Sequence, residues 1–488
     1  MPNAPVFQNT YAALPAHFYH RQGAEHVPQP ELIAVNTELA RFLNLDSDWL
    51  QSPAGLDMLS GRAFPDSADP IATVYAGFQF GSWNPQLGDG RALLIGEVIA
   101  QNQQRYDIQL KGSGRTPYSR GGDGKSPLGP VVREYILSEA MHALGVPTTR
   151  ALAAVTTGEP VYREEALPGA ILTRVASSHI RVGTAQYFAS RKDTDGLRAL
   201  CDHVIERHYP DCRDSDTPIQ ALLRCIIERQ AKLIAQWQGL GFIHGVMNTD
   251  NMLLCGETID YGPCAFMEAF DPATVFSSID HGGRYAYGNQ PHIGHWNLAG
   301  LAQALLPLLH DDEDEAVKIA QAEVNRYPDV HVQAYQNILV RKFGLGDYRD
   351  EDEALATDFF DLLKQERADF TLAFRRLAER AAGTDTVKAL WDFTPAFSDW
   401  LERWQQRIDS SQQNKAERAD TMLGSNPLFI PRNHRVEEAI RAANQGDFAP
   451  FHRLNALLQK PFADNVDHLD YARPAQPDEA VSQTFCGT

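Results

Sequence analysis

Apolar and polar residues alternate along the first part of the chain, whereas apolar residues three and four positions apart dominate the second part. Between about residues 72 and 182, short apolar runs separated by glycine and proline predict strands. The predicted strands cover residues 91–99, 106–111, 147–155, 161–163 and 170–175. We expect the third and fourth of these to form a hairpin that turns at Gly158-Glu159-Pro160.

Helical spacing predicts one helix among the strands and several helices after them. Apolar residues recur every three or four positions in residues 131–144, and Gly145 followed by Pro147 ends this helix. Another helix is predicted near residues 31–43, within a proline-containing lead of residues 1–70. The helices predicted after the strands cover residues 218–240, 296–309, 312–326, 351–382, 396–414 and 435–444. Strands followed by helices predict an α+β fold with two lobes.

Acidic residues outnumber basic ones, and the formal net charge is −19, from 44 Lys and Arg against 63 Asp and Glu. Such a chain repels nucleic-acid phosphates and anionic lipid, so we expect neither nucleic acid nor a membrane as a general partner. No apolar run approaches the about 20 residues that cross a bilayer. Residues 1–22 lack the charged start and apolar centre of a secretory signal, which favours a cytoplasmic location.

One segment departs from this acidic character. From Lys111 to Arg133 there are five basic residues, a single acid, Asp123, and six glycines. A basic, glycine-rich loop is typical of a site where the backbone closely approaches an anionic ligand. A solvated surface loop would have the same composition, so the segment alone leaves both interpretations open.

The residues around this loop follow the order found in the smaller lobe of a protein kinase. Gly88-Asp89-Gly90 precedes a predicted strand, Lys111 ends the next strand, and Glu134 follows 23 residues later on the predicted helix. In kinases such a lysine contacts phosphates, and the glutamate orients it through an ion pair. A surface salt bridge between a strand and a helix is the alternative interpretation.

A second set of polar residues follows the long helix predicted at residues 218–240. His244 and Asn251 lie seven residues apart, as in the kinase catalytic loop, and Asp260-Tyr261-Gly262 is similar to the kinase Asp-Phe-Gly segment. An asparagine and an aspartate that enter one cleft suit Mg²⁺, which prefers oxygen ligands. A buried polar turn capped by these side chains is the alternative.

The catalytic base of a kinase has no counterpart at its usual position. That position is Val246, which cannot accept a proton, and the nearest carboxylate is Asp250, directly before Asn251. Either the chain is inactive, or the reacting phosphorus sits elsewhere relative to this loop.

Together with their surroundings, these residues resemble the SelO/YdiU family of selenoprotein-O-like proteins. The similarity covers essentially the whole chain. It is carried by Phe80-Gly81-Ser82-Trp83, Gln109-Leu110-Lys111-Gly112-Ser113-Gly114, Tyr118-Ser119-Arg120-Gly121-Gly122-Asp123-Gly124, Pro147-Thr148-Thr149-Arg150-Ala151-Leu152, Arg284-Tyr285-Ala286-Tyr287, Asn289-Gln290-Pro291, Trp296-Asn297-Leu298 and Arg432-Asn433.

The resemblance implies an enzyme that binds ATP in an inverted orientation and passes AMP to Ser, Thr or Tyr hydroxyls of proteins, redox-related proteins among them, with release of pyrophosphate. The residues that it assigns to ATP are Gly88, Gly90, Arg91, Lys111, Asp123, Gly124, Arg174 and Arg181. It assigns Glu134 to the orientation of Lys111, Asn251 and Asp260 to Mg²⁺ or Mn²⁺, and Asp250 to the role of catalytic base.

The resemblance also implies a protein-kinase-like, two-lobed α+β fold with an N-terminal extension and an enlarged helical C-terminal region. The expected units are the extension at residues 1–70, a nucleotide-binding small lobe at 71–185, a helical large lobe at 186–470 and a flexible tail at 471–488. Cys486 lies in this tail, and the resemblance implies a redox-sensitive bond to a core cysteine. An unpaired tail thiol remains the alternative.

Three other functions stay open at this stage. The first is a kinase that transfers the γ-phosphate to a protein or a small molecule, and the second is UMP transfer from UTP. The third is a nucleotide-binding scaffold without activity, which the loss of a base at Val246 would explain.

Overall fold

A large antiparallel sheet formed by the first part of the chain is followed by helices, in a computed structural model that describes residues 3–485. The strands are β1 (Tyr19–Arg21), β2 (Glu31–Val35), β3 (Ile71–Gln79), β4 (Ser82–Gly88), β5 (Ala92–Ile99), β6 (Arg105–Lys111), β7 (Ser126–Pro127), β8 (Arg150–Tyr162), β9 (Ala166–Ala176), β10 (Phe242–Ile243) and β11 (Ala265–Phe266). The helices are α1 (Thr37–Phe42), α2 (Ser47–Leu50), α3 (Pro53–Ser60), α4 (Leu128–Ala143), α5 (Val182–Ser190), α6 (Thr194–His208), α7 (Pro218–Leu240), α8 (Gln290–Leu309), α9 (Glu313–Val324), α10 (Tyr327–Phe343), α11 (Glu351–Gln365), α12 (Phe370–Ala382), α13 (Ser398–Asp409), α14 (Lys415–Leu423), α15 (Asn433–Ala443) and α16 (Ala449–Leu458). The mixed fold expected from the sequence is confirmed at this level.

Within residues 3–485, nine strands form one sheet with the order β1-β3-β5-β6-β9-β8-β2, to which β4 adds beside β3 and β7 beside β9. The neighbouring strands are antiparallel. The first 70 residues therefore supply the two end strands of this order, β1 and β2. Helix α4 packs on β8 and β9 and carries its buried residues onto the sheet.

The helix predicted near residues 31–43 is wrong in its first half. Glu31–Val35 forms β2 and pairs with β8, with Leu32 opposite Val155. The helix begins only after Asn36, whose side chain accepts the backbone N–H of Leu39 (3.0 Å). A free strand edge at β8 outweighs the helical spacing of this segment, because pairing satisfies backbone groups that a short helix leaves open.

The hairpin predicted at Gly158 is also wrong. Residues 150–162 form one strand, and the chain turns at residues 163–165, where the backbone N–H of Arg163 donates to the carbonyl of Glu165 (2.9 Å). Gly158 has φ +72° and lies where the register between β8 and β9 shifts. Gly158 marks a bulge here, since bulges as well as turns use a glycine with positive φ.

The helix predicted over residues 351–382 is two helices, α11 and α12. The chain leaves helical geometry at Arg367, which has φ +50°. Asp369 then caps α12 by accepting the backbone N–H of Leu372 (2.8 Å), and Arg432 donates to the same carboxylate (2.8 Å). Long-range contacts thus end a helix that local spacing would continue.

Helix α7 positions the loop that follows it. Its apolar face is buried, and it packs against α8 and α10. Gly241, with φ +70°, ends the helix, and β10 then pairs with β11. Because Trp237 donates to Thr258 (3.0 Å), the end of α7 is fixed to the segment just before Asp260.

The last described residues return to the segment after Asp260. The backbone N–H of Thr484 donates to the carbonyl of Phe276 (2.8 Å), and its hydroxyl donates to the carbonyl of Pro263 (2.5 Å). Cys486 lies outside the described residues, so its predicted bond stays a prediction. Among residues 3–485, no helix is long and apolar enough to cross a membrane.

We expect the Arg432→Met variant to lower the free energy of unfolding by about 3–5 kcal/mol, because it leaves the buried carboxylate of Asp369 without its cation. Urea denaturation followed by circular dichroism measures this change. Arg403→Met is the matched control, since Arg403 is half-exposed in its ion pair with Asp358 and should change stability by less than about 1 kcal/mol. Equal losses in the two variants would contradict the assignment.

Candidate active site

Lys111 lies at the end of β6 and contacts two carboxylates. Its Nζ donates to Oε2 of Glu134 on α4 (2.6 Å) and to Oδ1 of Asp260 (2.8 Å). The sheet explains the convergence: β6 carries Lys111 beside β9, and α4 crosses the face of β8 and β9 with Glu134 directed toward them. The strand lysine and helix glutamate singled out in the sequence are therefore in contact, in a buried position.

Arg174 joins the same group of charges from the neighbouring strand β9, where it pairs with Gln109 of β6. Its Nε and Nη2 donate to Oε1 of Glu134 (2.8 and 2.5 Å), and Nη2 also donates to Oδ1 of Asp260 (2.6 Å). The side chain is 2% exposed. Arg174 and Lys111 thus hold Glu134 and Asp260 together.

Arg181 is the third cation, and it reaches Asp260 from the N-terminus of α5. Its Nη1 donates to Oδ2 of Asp260 (3.2 Å) and to the backbone carbonyl of Asp250 (2.5 Å). The guanidinium lies over the ring of Tyr75, 4.6 Å from its centroid. Oδ1 of Asp89, in the glycine turn after β4, lies 3.9 Å from Nη2 of Arg181. Two buried arginines and the partly buried Lys111 therefore converge on the single carboxylate of Asp260.

Asp260 occupies an unusual backbone conformation, with φ +63°. Non-glycine residues rarely adopt this region, and such positions cluster at functional sites. Burial opposes ionisation of the carboxyl, but the charges of Lys111, Arg174 and Arg181 outweigh it and hold the pKa of Asp260 well below its usual value. Asp260 is therefore an anion at neutral pH.

Asp250 lies beside this group but is bonded differently. Its Oδ2 accepts from Nε2 of Gln79 (3.0 Å), and within residues 3–485 its buried Oδ1 has no hydrogen-bond partner. A Cβ built on Gly77 would lie 2.6 Å from that Oδ1, so glycine at 77 makes room for the carboxylate. Burial raises the pKa of Asp250 to about 6. A carboxylate with an open lone pair and a raised pKa can accept a proton.

The loop from His244 to Asn251 is fixed to the Asp260 segment. His244 donates through Nε2 to the carbonyl of Ile259 (2.9 Å) and accepts the backbone N–H of Val246 through Nδ1 (3.3 Å). Burial lowers the pKa of His244, which agrees with this neutral tautomer. The kinase-like spacing in the sequence thus corresponds to a direct bond between the two loops.

Asn251 and Asp260 have the donor chemistry of a site for a hard cation. Asn251 donates its Nδ2 to the carbonyl of Val246 (3.0 Å), so its Oδ1 is the atom that remains for a metal ion. Within residues 3–485, no group of three His, Cys, Asp or Glu side chains could hold a metal by itself. Mg²⁺ bound together with a nucleotide needs only one or two protein oxygens, since phosphates and water supply the rest. The two side chains fit that kind of ion.

Gly88, Gly90 and Arg91 lie in the turn that precedes β5. A Cβ on Gly88 would meet the ring of Tyr118 at 2.4 Å, and a Cβ on Gly90 would meet the backbone of Tyr118 at 2.8 Å. The carbonyl of Arg91 accepts the backbone N–H of Gly112 (2.7 Å), directly after Lys111. The glycine turn therefore packs tightly against the basic loop, next to the end of β6.

Asp123 and Gly124 lie further along that loop. Asp123 forms a salt bridge with Arg163 (2.8 Å), whose hydrogen bond lowers the pKa of the carboxyl. Gly124 accepts the backbone N–H of Gly114 (3.1 Å). Among the described residues, neither Asp123 nor Gly124 has a hydrogen bond or salt bridge to Lys111, Arg174 or Arg181. These two predicted site residues are thus outside the charge cluster.

Gln79, Asn248 and Tyr285 surround Asp250, and the sequence analysis gave none of them a role at the site. Gln79 donates to Asp250, and Asn248 accepts through Oδ1 from the backbone N–H of Phe80 (3.1 Å) and from the hydroxyl of Tyr285 (2.7 Å). Phe80 and Tyr285 both belong to stretches that carry the family resemblance. Those stretches were the available signal, but nothing in their spacing indicates which loop they contact.

The chain matches proteins of known families over nearly its full length. The family model described as protein adenylyltransferase SelO matches residues 4–459. A protein nucleotidyltransferase YdiU of Bradyrhizobium sp. (strain ORS 278) is 56% identical over 485 residues, with 99% of each chain covered. Proteins of the same name from Rhodopseudomonas palustris (strain BisB5) and Methylorubrum populi are 56% and 54% identical, again with 99% of each chain covered. The chain therefore belongs to the protein adenylyltransferase SelO family.

Proposed function

We propose that this enzyme transfers AMP from ATP to a Ser, Thr or Tyr hydroxyl of target proteins and releases pyrophosphate. Membership of the SelO family and relatives named protein nucleotidyltransferase support a nucleotidyl transfer. The observation that carries the proposal is the convergence of Lys111, Arg174 and Arg181 on Asp260, beside Asp250, whose side chain accepts from Gln79 and from no cation. Three cations suit a polyphosphate, and a separate carboxylate suits a base.

The proposed fold is that of a two-lobed, protein-kinase-like enzyme. In its support, the large sheet lies within residues 19–176, the helices from α5 onward follow residue 182, and the charged side chains come from both parts. We divide the chain into an extension at 1–70, a small lobe at 71–185, a large lobe at 186–470 and a tail at 471–488. The sheet contains strands from outside the proposed small lobe, since β1 and β2 come from the extension.

The proposed orientation of ATP rests on the burial of the three cationic side chains. The terminal phosphate carries the most charge, and Arg174, which donates to both Glu134 and Asp260, is 2% exposed. We therefore direct the γ-phosphate inward onto Lys111, Arg174 and Arg181. This leaves the α-phosphate near Asp250, where a kinase would present its γ-phosphate. Gly88, Gly90, Arg91, Asp123 and Gly124 line the rest of the nucleotide in this proposal.

The chemical step needs one proton transfer and one displacement. Asp250 accepts the proton of the target hydroxyl through its open Oδ1, and the hydroxyl oxygen forms a bond to the α-phosphorus. The bond from that phosphorus to the bridging oxygen breaks, and pyrophosphate leaves with its charge held by Lys111, Arg174 and Arg181.

Gln79 fixes the other oxygen of Asp250, and Glu134 keeps Lys111 and Arg174 in position. Position matters because a small displacement of reacting groups costs much of the rate.

Asn251 and Asp260 are the proposed ligands of a divalent cation, Mg²⁺ or Mn²⁺. Such an ion, when bound, neutralises phosphate charge and fixes the phosphates in one geometry. Asp260 can contribute to it because a carboxylate offers about four lone-pair sites, of which its three cations use some.

The proposal predicts that label from α-³²P-ATP is transferred to proteins of a cell extract, whereas label from γ-³²P-ATP is not, when each is incubated with enzyme and Mg²⁺ or Mn²⁺. The reason is that the AMP group carries the α-phosphorus and pyrophosphate carries the γ-phosphorus. Gel electrophoresis and autoradiography detect the product. Label from γ alone would show a kinase, and label from α-³²P-UTP in preference to ATP would show UMP transfer.

The second prediction concerns the base. Asp250→Asn should slow AMP transfer by about 10²–10⁴, the range for a lost general base, because an amide cannot accept the proton. The affinity for ATP, measured by titration calorimetry, should stay close to that of the wild type, since the side chain of Asp250 contacts no cation. Asp358→Asn, in a half-exposed ion pair with Arg403, is the control. A nearly unchanged rate in Asp250→Asn would remove Asp250 as the base.

A further inference from the structure

The tip of the hairpin formed by β3 and β4 lies on the loop that carries Asp250. The hydroxyl of Thr249 accepts the backbone N–H of Phe78 (2.8 Å), and Asn248 accepts that of Phe80 (3.1 Å). Gln79, between these two residues, donates to Asp250 itself (3.0 Å). The hairpin tip therefore borders the place where a target hydroxyl must approach the base.

Two tryptophans are partly exposed beside this tip. The ring of Phe78 lies 4.9 Å from that of Trp83 on β4 and 5.2 Å from that of Trp296 on α8, measured between centroids. Trp83 is 37% exposed and Trp296 is 41% exposed. Aromatic residues are enriched at the surfaces with which proteins recognise other proteins, where they supply large contact area.

Arg284 adds a positive charge to the same surface. Its guanidinium carbon lies 4.8 Å from the ring centroid of Trp296, and a Cβ on Gly81, at the hairpin tip, would lie 3.7 Å from it. Within residues 3–485, Arg284 forms no salt bridge, its buried Nε has no hydrogen-bond partner, and its side chain contacts the hydroxyl of Tyr285. In a chain with 63 acidic residues, a guanidinium without a carboxylate is available to an external anion.

We propose that Trp83, Trp296 and Arg284, here called the aromatic–arginine surface, bind the target polypeptide next to its acceptor hydroxyl. A carboxylate side chain of the target pairs with Arg284, and an apolar side chain covers the two tryptophans. Gly81, which lies beside Arg284, and Gln79, which donates to Asp250, are two residues apart on the hairpin, so the preferred acid stands within a few residues of the acceptor hydroxyl. The inference rests on the proposed function and names its substrate class.

The overall charge of the enzyme limits this preference to a local one. At a net charge of −19, the enzyme repels a strongly acidic target at long range. A target with a single acidic residue near the hydroxyl can pair with Arg284 and is not strongly repelled by the net charge of the enzyme. The preferred target segment is therefore one carboxylate beside an apolar residue, and not an acidic tract.

The test compares synthetic peptides in which one Ser, Thr or Tyr is followed by either Asp or Lys at about one to four residues, with each spacing in a separate peptide. With α-³²P-ATP, the wild-type enzyme should have a kcat/KM about tenfold higher for the Asp peptides, the effect of one charge-assisted pair. Arg284→Gln should abolish this preference, and Arg284→Glu should reverse it. The change should lie in the KM for peptide, with the KM for ATP unaltered.

Arg403→Glu is the matched control, because it makes the same change of charge on α13, in a half-exposed pair with Asp358. It should keep the wild-type peptide preference. Melting temperature and ATP affinity check that the Arg284 variants are folded, and Arg284→Gln carries the test if Arg284→Glu does not fold.

Three outcomes would overturn the inference. The first is an unchanged peptide preference in the Arg284 variants. The second is an increase in the KM for ATP in place of that for peptide, which would show the nucleotide to be the occupant of this surface. The third is label on extract proteins but on no peptide, which leaves the proposed function intact. Absence of label on both would overturn the function as well.

Discussion

The contact of the partly buried Asp260 with Lys111, Arg174 and Arg181 is the constraint on which the candidate site depends. The three cations come from β6, β9 and the start of α5, whereas Asp260 comes from a loop that follows the long helix α7. Isolated charges are costly to bury, and only mutual pairing makes such a cluster stable. The sheet and the helical part of the chain are therefore joined at the point where we propose that the polyphosphate binds.

The same ion pairs explain how the three cations can change partners when phosphate binds. Glu134 and Asp260 neutralise the cations in the structure. Phosphate oxygens can take over the contacts with Asp260, while Glu134 continues to orient Lys111 and Arg174. The carboxylate of Asp250 does not compete with phosphate for these cations, because Arg181 donates to its backbone carbonyl and not to its carboxylate. The guanidinium of Arg181 thus links Asp260 to the loop of the proposed base without donating a hydrogen bond to the carboxylate of Asp250.

The sequence was most informative where the spacing of residues is itself a chemical requirement. Lys111, Glu134, His244 and Asp260 could be singled out from their order alone, and all lie within bonding distance of their partners. The strand at Glu31–Val35 could not be foreseen, since its reason is the free edge of β8, more than 100 residues away in the chain. Gln79 was missed for a related reason: its contact with Asp250 joins distant segments, which no local pattern encodes. Arg284 was named only within a stretch that carries the family resemblance, and its position beside Gly81 is not visible in that stretch.

A crystal structure of the enzyme with Mn²⁺ and a non-hydrolysable ATP analogue would determine the orientation of the nucleotide. We expect a γ-phosphate enclosed by Lys111, Arg174 and Arg181, with the α-phosphorus facing Oδ1 of Asp250. A γ-phosphate directed toward Asp250, with the adenine enclosed beside Arg174, would rule out the inverted orientation.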